Sequence, residues 1–268
     1  MLKDITLGQY FPGNSVIHRL DPRTKLIMLV VYIVALFTAK SWISYGVLFA
    51  FLALSVKIST IPPKSILRGM KPLVMILIFT GVLNIFFTQE GTVLVDFWII
   101  TITSGGIARA ILMMLRIMML ISCTFLLTYT TSPIALTDGL ESLMNPMKKI
   151  GVPVHELSMM MCIALRFIPT LIEETDKIMC AQKARGADFE TGSLIERAKA
   201  LVPILVPLFI SAFRRADELA TAMESRCYQG GEGRTKMKLL RYHRDDMAAF
   251  CIGAGLVVLV LVLGTFGL

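Results

Sequence analysis

The chain has 268 residues, of which 55% are hydrophobic and only 17% charged, and its mean hydropathy is +0.71. A soluble domain carries about 25% charged residues, so much of this surface meets something other than water, and recurrent long apolar runs place the chain in the membrane class. A net charge of +8 would suit nucleic acid, but the basic residues cluster beside apolar runs, as membrane orientation demands, which argues against such a partner.

Met1 to Asp21 is polar and mixed, without the continuous apolar stretch of a cleavable signal peptide, so the first span would act as the insertion signal. Five spans follow from the apolar runs. The first covers about Pro22 to Ala39 and the second about Ser41 to Ile58, with a tight turn near Lys40; read as one helix they would be far too long to cross once. Pro62 and Pro63 then break the chain. The third span is about Pro72 to Thr88, the fourth about Ile107 to Thr130, and the last about Met247 to Leu268. Within them, Arg116 needs a polar partner or a helix interface, and Arg109 can extend outward. Asn84 is expected to bond a neighbouring helix, and Ala249 and Gly253 to allow close helix packing.

Lys and Arg alternate cleanly between the connecting segments. Lys3, Arg19, Arg23 and Lys25 belong to the N-terminal segment and the start of the first span, Lys57, Lys64, Arg68 and Lys71 to the end of the second span and the loop after it, none lies between Gln89 and Ile107, and sixteen lie between Thr131 and Asp246. The positive-inside bias therefore puts the N-terminus and the long region in the cytoplasm and the C-terminus outside.

Residues 131–246 read as three amphipathic but apolar-rich helices: Thr137 to Ile150, about His155 to Ala187 and about Ser193 to Tyr228. Leu157, Met160, Met161, Ala164, Leu165 and Ile168 form a stripe at helical spacing. Ala200 to Phe213 carries no charge, but it is short for a crossing, and Pro203 and Pro207 are expected to interrupt it. A membrane crossing there is the rival to a helix at the membrane surface. The division is thus 1–130 as a membrane domain of about four spans, 131–246 as a cytoplasmic helical module and 247–268 as a final span.

The second of these helices ends in Lys183-Ala184-Arg185-Gly186-Ala187-Asp188. A Gly at a helix end is commonly only a C-cap. A related ending, Ala222-Met223-Glu224-Ser225-Arg226-Cys227-Tyr228, closes the third helix. An Arg on a rigid helix end is a good anchor for a partner's pocket, because its planar fork pairs in two-point geometry.

This pair of Arg-tipped helices resembles the coupling helices of the transmembrane T component of energy-coupling factor (ECF) transporters, the CbiQ/BioN-like permease family. Three further stretches resemble the same family: Leu20-Asp21-Pro22-Arg23-Thr24-Lys25-Leu26, Thr130-Thr131-Ser132-Pro133 and Ala164-Leu165-Arg166-Phe167-Ile168-Pro169. Ser225 and Cys227 stand where the family usually has Ala and Gly. The resemblance implies an all-α membrane protein, a non-catalytic subunit of an ABC-type importer in the plasma membrane. It implies two ATPase subunits as partners, which bind the ATP, and a small membrane S component that captures a vitamin or metal ion. On this analogy Ala184, Arg185, Gly186, Ser225, Arg226 and Cys227 contact the ATPases. ATP-driven motion then reaches the S component through the helices.

Met159, Met160, Met161, Met113 and Met114 are candidates for the face that meets the S component, since Met-rich surfaces can repack, although ordinary packing also accounts for them. The chain has no G-x-x-x-x-G-K-[ST], G-x-S-x-G or H-E-x-x-H. Gly230-Gly231-Glu232-Gly233 reads as a turn. Glu173, Glu174 and Asp176 suit surface pairing, for instance Glu173 with Lys177. Five cysteines without C-x-x-C spacing and three scattered histidines give no metal pattern. Two rivals remain: a self-contained transporter, which wants paired intramembrane charges or broken helices, and a membrane enzyme, which wants a polar constellation at one face.

Overall fold

The structure, a computed structural model, describes residues 10–39, 41–87, 92–97, 100–187, 189, 193–231 and 239–265. The chain divides into two compact units, one of Gly8–Leu140 with Leu240–Leu268 and the other containing Glu141–Leu239.

In the first unit a short helix, α1 (Val16–Arg19), precedes α2 (Pro22–Thr38) and α3 (Trp42–Ser59). Next come α4 (Pro63–Met70), a 3-10 turn at Lys71–Leu73 and α5 (Val74–Phe87), and then α6 (Ser104–Thr130) and α7 (Pro133–Met144). The unit closes with α10 (Arg244–Thr265). Between α5 and α6 the chain forms an antiparallel hairpin, β1 (Val93–Phe97) and β2 (Ile100–Thr103), with Phe97 opposite Ile100. The sequence reading treats this segment only as a link. Its Val, Ile, Phe and Thr favour extended backbone.

Tyr32, Ala35 and Leu36 of α2, Tyr45, Leu48 and Leu52 of α3, Met119 of α6 and Leu256 and Val260 of α10 form one buried cluster. Glycines set the closest approaches. A Cβ on Gly253 of α10 would stand 2.6 Å from the Met28 sulfur of α2, and one on Gly81 of α5 would stand 2.8 Å from the Met114 sulfur of α6. The Gly253 contact bears out close packing at that position. Asn84 instead donates to the Thr80 carbonyl within its own helix, at 2.9 Å.

The Leu20–Leu26 stretch is a clasp. Asp21 caps α2 by accepting the Arg23 N–H at 2.9 Å, and its carboxylate also takes the Arg23 guanidinium at 3.0 Å. The Asp21 N–H is bound by Asp246 Oδ1 at 2.9 Å, while Asp246 Oδ2 accepts the His243 N–H at 2.7 Å. Lys25 Nζ donates to the carbonyls of His18 and Thr130 and to Thr131 Oγ1. One short motif thus joins the starts of α2 and α10 to the end of α6. Every buried charge in it has partners, the condition under which such charges are tolerated.

The second unit contains the end of α7 and a 3-10 turn at Asn145–Ile150. Two long helices follow, α8 (Val154–Ala184) and α9 (Leu194–Glu224), each of 31 residues. Ser193 and Glu196 form a capping box at the start of α9, satisfying two otherwise orphaned N–H groups. The helix continues through Pro203 and Pro207 instead of breaking there. Pro207 cannot donate to the carbonyl of Pro203, four residues back. The side chain of Gln182 on α8 supplies a donor to that oxygen, at 3.5 Å.

Among the described residues, five helical stretches are long and apolar enough to cross a membrane: Trp42–Ser59, Pro63–Phe87, Ser104–Thr130, Val154–Ala184 and Arg244–Thr265. This is a multi-pass, predominantly helical membrane protein. The set differs in one member from the sequence reading, which counts Pro22–Ala39 and keeps the helix after His155 at the surface. At 17 residues, α2 rises about 26 Å, at the short end of what crosses a hydrocarbon core of roughly 30 Å. α8, by contrast, joins an apolar first half to a charged second half, so length and composition alone admit it.

Candidate functional site

The site candidates lie at the ends of α8 and α9, and the way these helices pair decides where. Gln182 meets Pro203. Glu174 accepts hydrogen bonds from Ser211 and, at 2.9 Å, from Arg215. Met159 and Ile163 share a cleft of about 470 Å³ with Leu219, Met223 and Arg226. Partners therefore rise on one helix as they fall on the other, so the helices run antiparallel. The expected pairing of Glu173 with Lys177 is not formed. Glu174, which faces α9, makes the ion pair and crosses the seam.

Antiparallel packing separates the two Arg motifs. Arg226 stands beside Met159, near the start of α8, whereas Arg185 closes that helix. At about 1.5 Å per residue, Met159 to Arg185 is roughly 40 Å. The motifs tip opposite ends of one rod pair.

The two endings share one backbone design. At α8 the Gly186 N–H bonds the Lys183 carbonyl and the Ala187 N–H bonds the Gln182 carbonyl, each at 3.0 Å, with Gly186 at φ +88°. At α9 the Cys227 N–H bonds the Glu224 carbonyl at 2.8 Å and the Tyr228 N–H bonds the Met223 carbonyl at 3.1 Å, with Cys227 at φ +56°. Both are Schellman endings, each with the Arg on the residue just before the left-handed one. Ser225 and Cys227 therefore do not change the backbone. Cys227 takes the conformation that Gly would adopt at lower cost. Arg185 and Arg226 are both exposed, and among the described residues neither guanidinium has an ion-pair partner. Asp188 lies outside the described residues.

The methionines divide. Met160 and Met161 are exposed, as is Leu157 on the same stripe, and Met159 lines the seam cleft. Met113 is exposed, with its sulfur 3.8 Å from Arg116. Met114 fills the space at Gly81, so it serves packing between α6 and α5. On α9, Leu201, Val202, Leu205, Val206, Phe209, Ile210 and Phe213 are exposed while Ile204 is buried. An apolar face of this size marks a surface made to be covered.

In the first unit an apolar cavity of about 340 Å³ lies among α1, α2, α3, α6 and α10, with Lys25 in its wall. The three N–H groups of Lys25 are all taken by the clasp, so this cavity offers no free cation to a substrate.

Sequence reasoning put both Arg motifs at helix ends, where they stand. It missed a polar group beside the second. Glu141 Oε1 meets His155 Nδ1 at 3.2 Å, and Glu141 Oε2 accepts the Ser158 hydroxyl at 2.9 Å. The only sequence signal was His155 and Ser158 on one turn of a helix start, which by itself names no partner. The serine bonds the carboxylate and not the imidazole, so this is not a nucleophile–base pair.

The family described as "Cobalt transport protein" (CbiQ) matches residues 13–237. The chain is similar to proteins named energy-coupling factor transporter transmembrane protein EcfT. It is 56% identical over 247 residues to that of Ruminiclostridium cellulolyticum, covering 92% of each chain. It is 55% identical over 263 residues to that of Acidaminococcus fermentans, covering 98% of each. It is 48% identical over 263 residues to that of Bacillus subtilis, again covering 98% of each.

Proposed function

On the premise that this chain belongs to the cobalt transport protein family, as a transmembrane T component of an energy-coupling factor transporter, we propose that it is the coupling subunit joining two ABC-type ATPase subunits to a small substrate-binding S component. The cargo is a vitamin or a metal ion, ATP is bound and hydrolysed by the partners, and the chain itself is non-catalytic.

One observation carries this reading: two exposed Arg side chains sit on the same Schellman ending at opposite tips of the α8–α9 pair. Two like anchors roughly 40 Å apart suit two separate sockets better than one. Ala184, Arg185 and Gly186 would enter one ATPase, and Ser225, Arg226 and Cys227 the other. When nucleotide binding draws the ATPases together, the tips follow and the rod pair turns as a body, driven by the differential affinity of the ATPases for two arrangements. The exposed apolar faces of α8 and α9, with Met160, Met161 and Met113, would carry that motion to the S component. The charge alternation puts the N-terminus and the 131–246 module in the cytoplasm and the C-terminus outside, with α2 crossing and α8 at the membrane surface.

The test is co-purification in mild detergent. The parent chain should bring down two ATPase subunits and an S component. The double variant Arg185→Glu with Arg226→Glu should insert in the membrane and lose the ATPases. Retained ATPases and normal uptake in that variant would overturn the reading.

A further inference from the structure

The polar group beside Arg226 has a job that neither the fold nor the docking reading assigns. Glu141 belongs to the last turn of α7, and its side chain is 14% exposed. A carboxylate only accepts hydrogen bonds, so the proton between it and His155 is on Nδ1. That bond fixes the plane of the imidazole, and the Ser158 hydroxyl fixes the carboxylate. His155 Nε2 is buried and has no partner among the described residues, so hydrogen bonding at that nitrogen does not explain the ring's setting.

The chain leaving α9 lies against the ring instead. A Cβ on Gly231 would fall 2.6 Å from His155 Cδ2 and 2.9 Å from Cγ, a separation that only glycine permits. The same chain is tied to the last turn of α9 by the Cys227 and Tyr228 N–H bonds, and it turns at Gly230, φ +92°. The stretch from Arg226 to Gly231 is therefore held at both ends, by the α9 carbonyls on one side and by contact with the His155 side chain on the other.

We propose that His155, oriented by Glu141 and Ser158, is a positioning residue for Arg226: its ring is the seat on which the chain closes at Gly231, holding the Arg-bearing turn against the start of α8. The brace is a property of this chain alone; its consequence for docking rests on the function proposed above. Because Arg185 stands roughly 40 Å away, the brace acts on one anchor and not on the other.

Two readouts test this. In the purified chain, hydrogen exchange of the amides of residues 226–228 should quicken about tenfold in His155→Ala, as expected for losing a bond to a charged group, with residues 185–187 unchanged. His155→Asn, whose amide nitrogen can replace Nδ1, should restore the parent rate, and Gly231→Ala, which displaces the ring, should mimic His155→Ala. In the full complex, photoreactive residues at Lys183 and Glu224 should both cross-link ATPase in the parent, while His155→Ala weakens only the Glu224 cross-link. Unchanged exchange at 226–228, equal quickening at both tips, or quickened exchange with both cross-links intact would overturn the inference. A parent chain that cross-links no ATPase from either position would overturn the docking reading, and the exchange data would still decide the brace.

Discussion

Arg116 donates its Nε–H to the Tyr45 hydroxyl across 2.7 Å, in the membrane part of the chain, and its Nη2 reaches the Ala39 carbonyl at the end of α2, at 3.3 Å. One guanidinium thus caps a helix whose last carbonyls have no helical donors and ties it to α3. Half-buried in a bundle, such a residue raises the question of substrate, and the geometry answers with architecture. Tyr45→Phe should lower stability in detergent by about 1.5–3 kcal/mol, the range for hydrogen bonds to charged groups, without changing which S components bind. Arg116→Lys should be similarly costly because the ammonium lacks the fork. A melting temperature equal to the parent's in both variants would show the contact to be idle.

Asp246, fully buried, holds two backbone N–H groups from separate segments. Asp246→Ala should orphan both, at about 1–3 kcal/mol each, and loosen α10 from α2. Faster proteolysis between Leu239 and Arg244, together with a lower melting temperature, is the expected result. Asp246→Asn should fall between parent and Ala, because one of its two positions becomes a donor facing an N–H.

The two Schellman endings make opposite forecasts. Cys227→Gly relieves a left-handed φ on a non-glycine residue and should stabilise the α9 ending by up to about 1 kcal/mol. Gly186→Ala meets no atom within 4 Å, so its cost is backbone strain alone, about 1–2 kcal/mol. Thermal unfolding in detergent should rank Cys227→Gly above the parent and Gly186→Ala below it.

Separated anchors should act independently. Arg185→Glu and Arg226→Glu taken singly should each cost about 2 kcal/mol or more at one ATPase contact and leave the other contact intact, as expected for sites far apart. Quantitative co-purification should show one ATPase weakened per single variant. Complete loss of both subunits in either single variant would contradict two separate sockets.

Replacing Met159, Met160 and Met161 together by Leu keeps the volume and removes the flexibility of the thioether chain. Membranes carrying the variant should accept fewer kinds of S component than the parent. Equal capture of all of them would assign these residues to packing alone.

Periodicity, charge and helix punctuation determined most of this protein from its sequence. The positions of α2, α3, α6, α8, α9 and α10 follow from apolar runs and from Pro, Ser and Gly at their ends, because those signals act within a turn or two of the residues they govern. Both Arg motifs were legible for the same reason: a helix ending is local. Tertiary structure alone decided what those endings mean together. Nothing local says that Glu174 pairs with Arg215 across the seam while Glu173 and Lys177 stay unpaired with each other, that α8 and α9 run antiparallel, or that the two guanidinium groups therefore stand at opposite tips. Nor does it reveal that His155 meets Gly231, or that Asp246 binds the N–H of Asp21 from the far end of the chain. Such contacts depend on which faces pack, and packing is chosen by the whole chain at once.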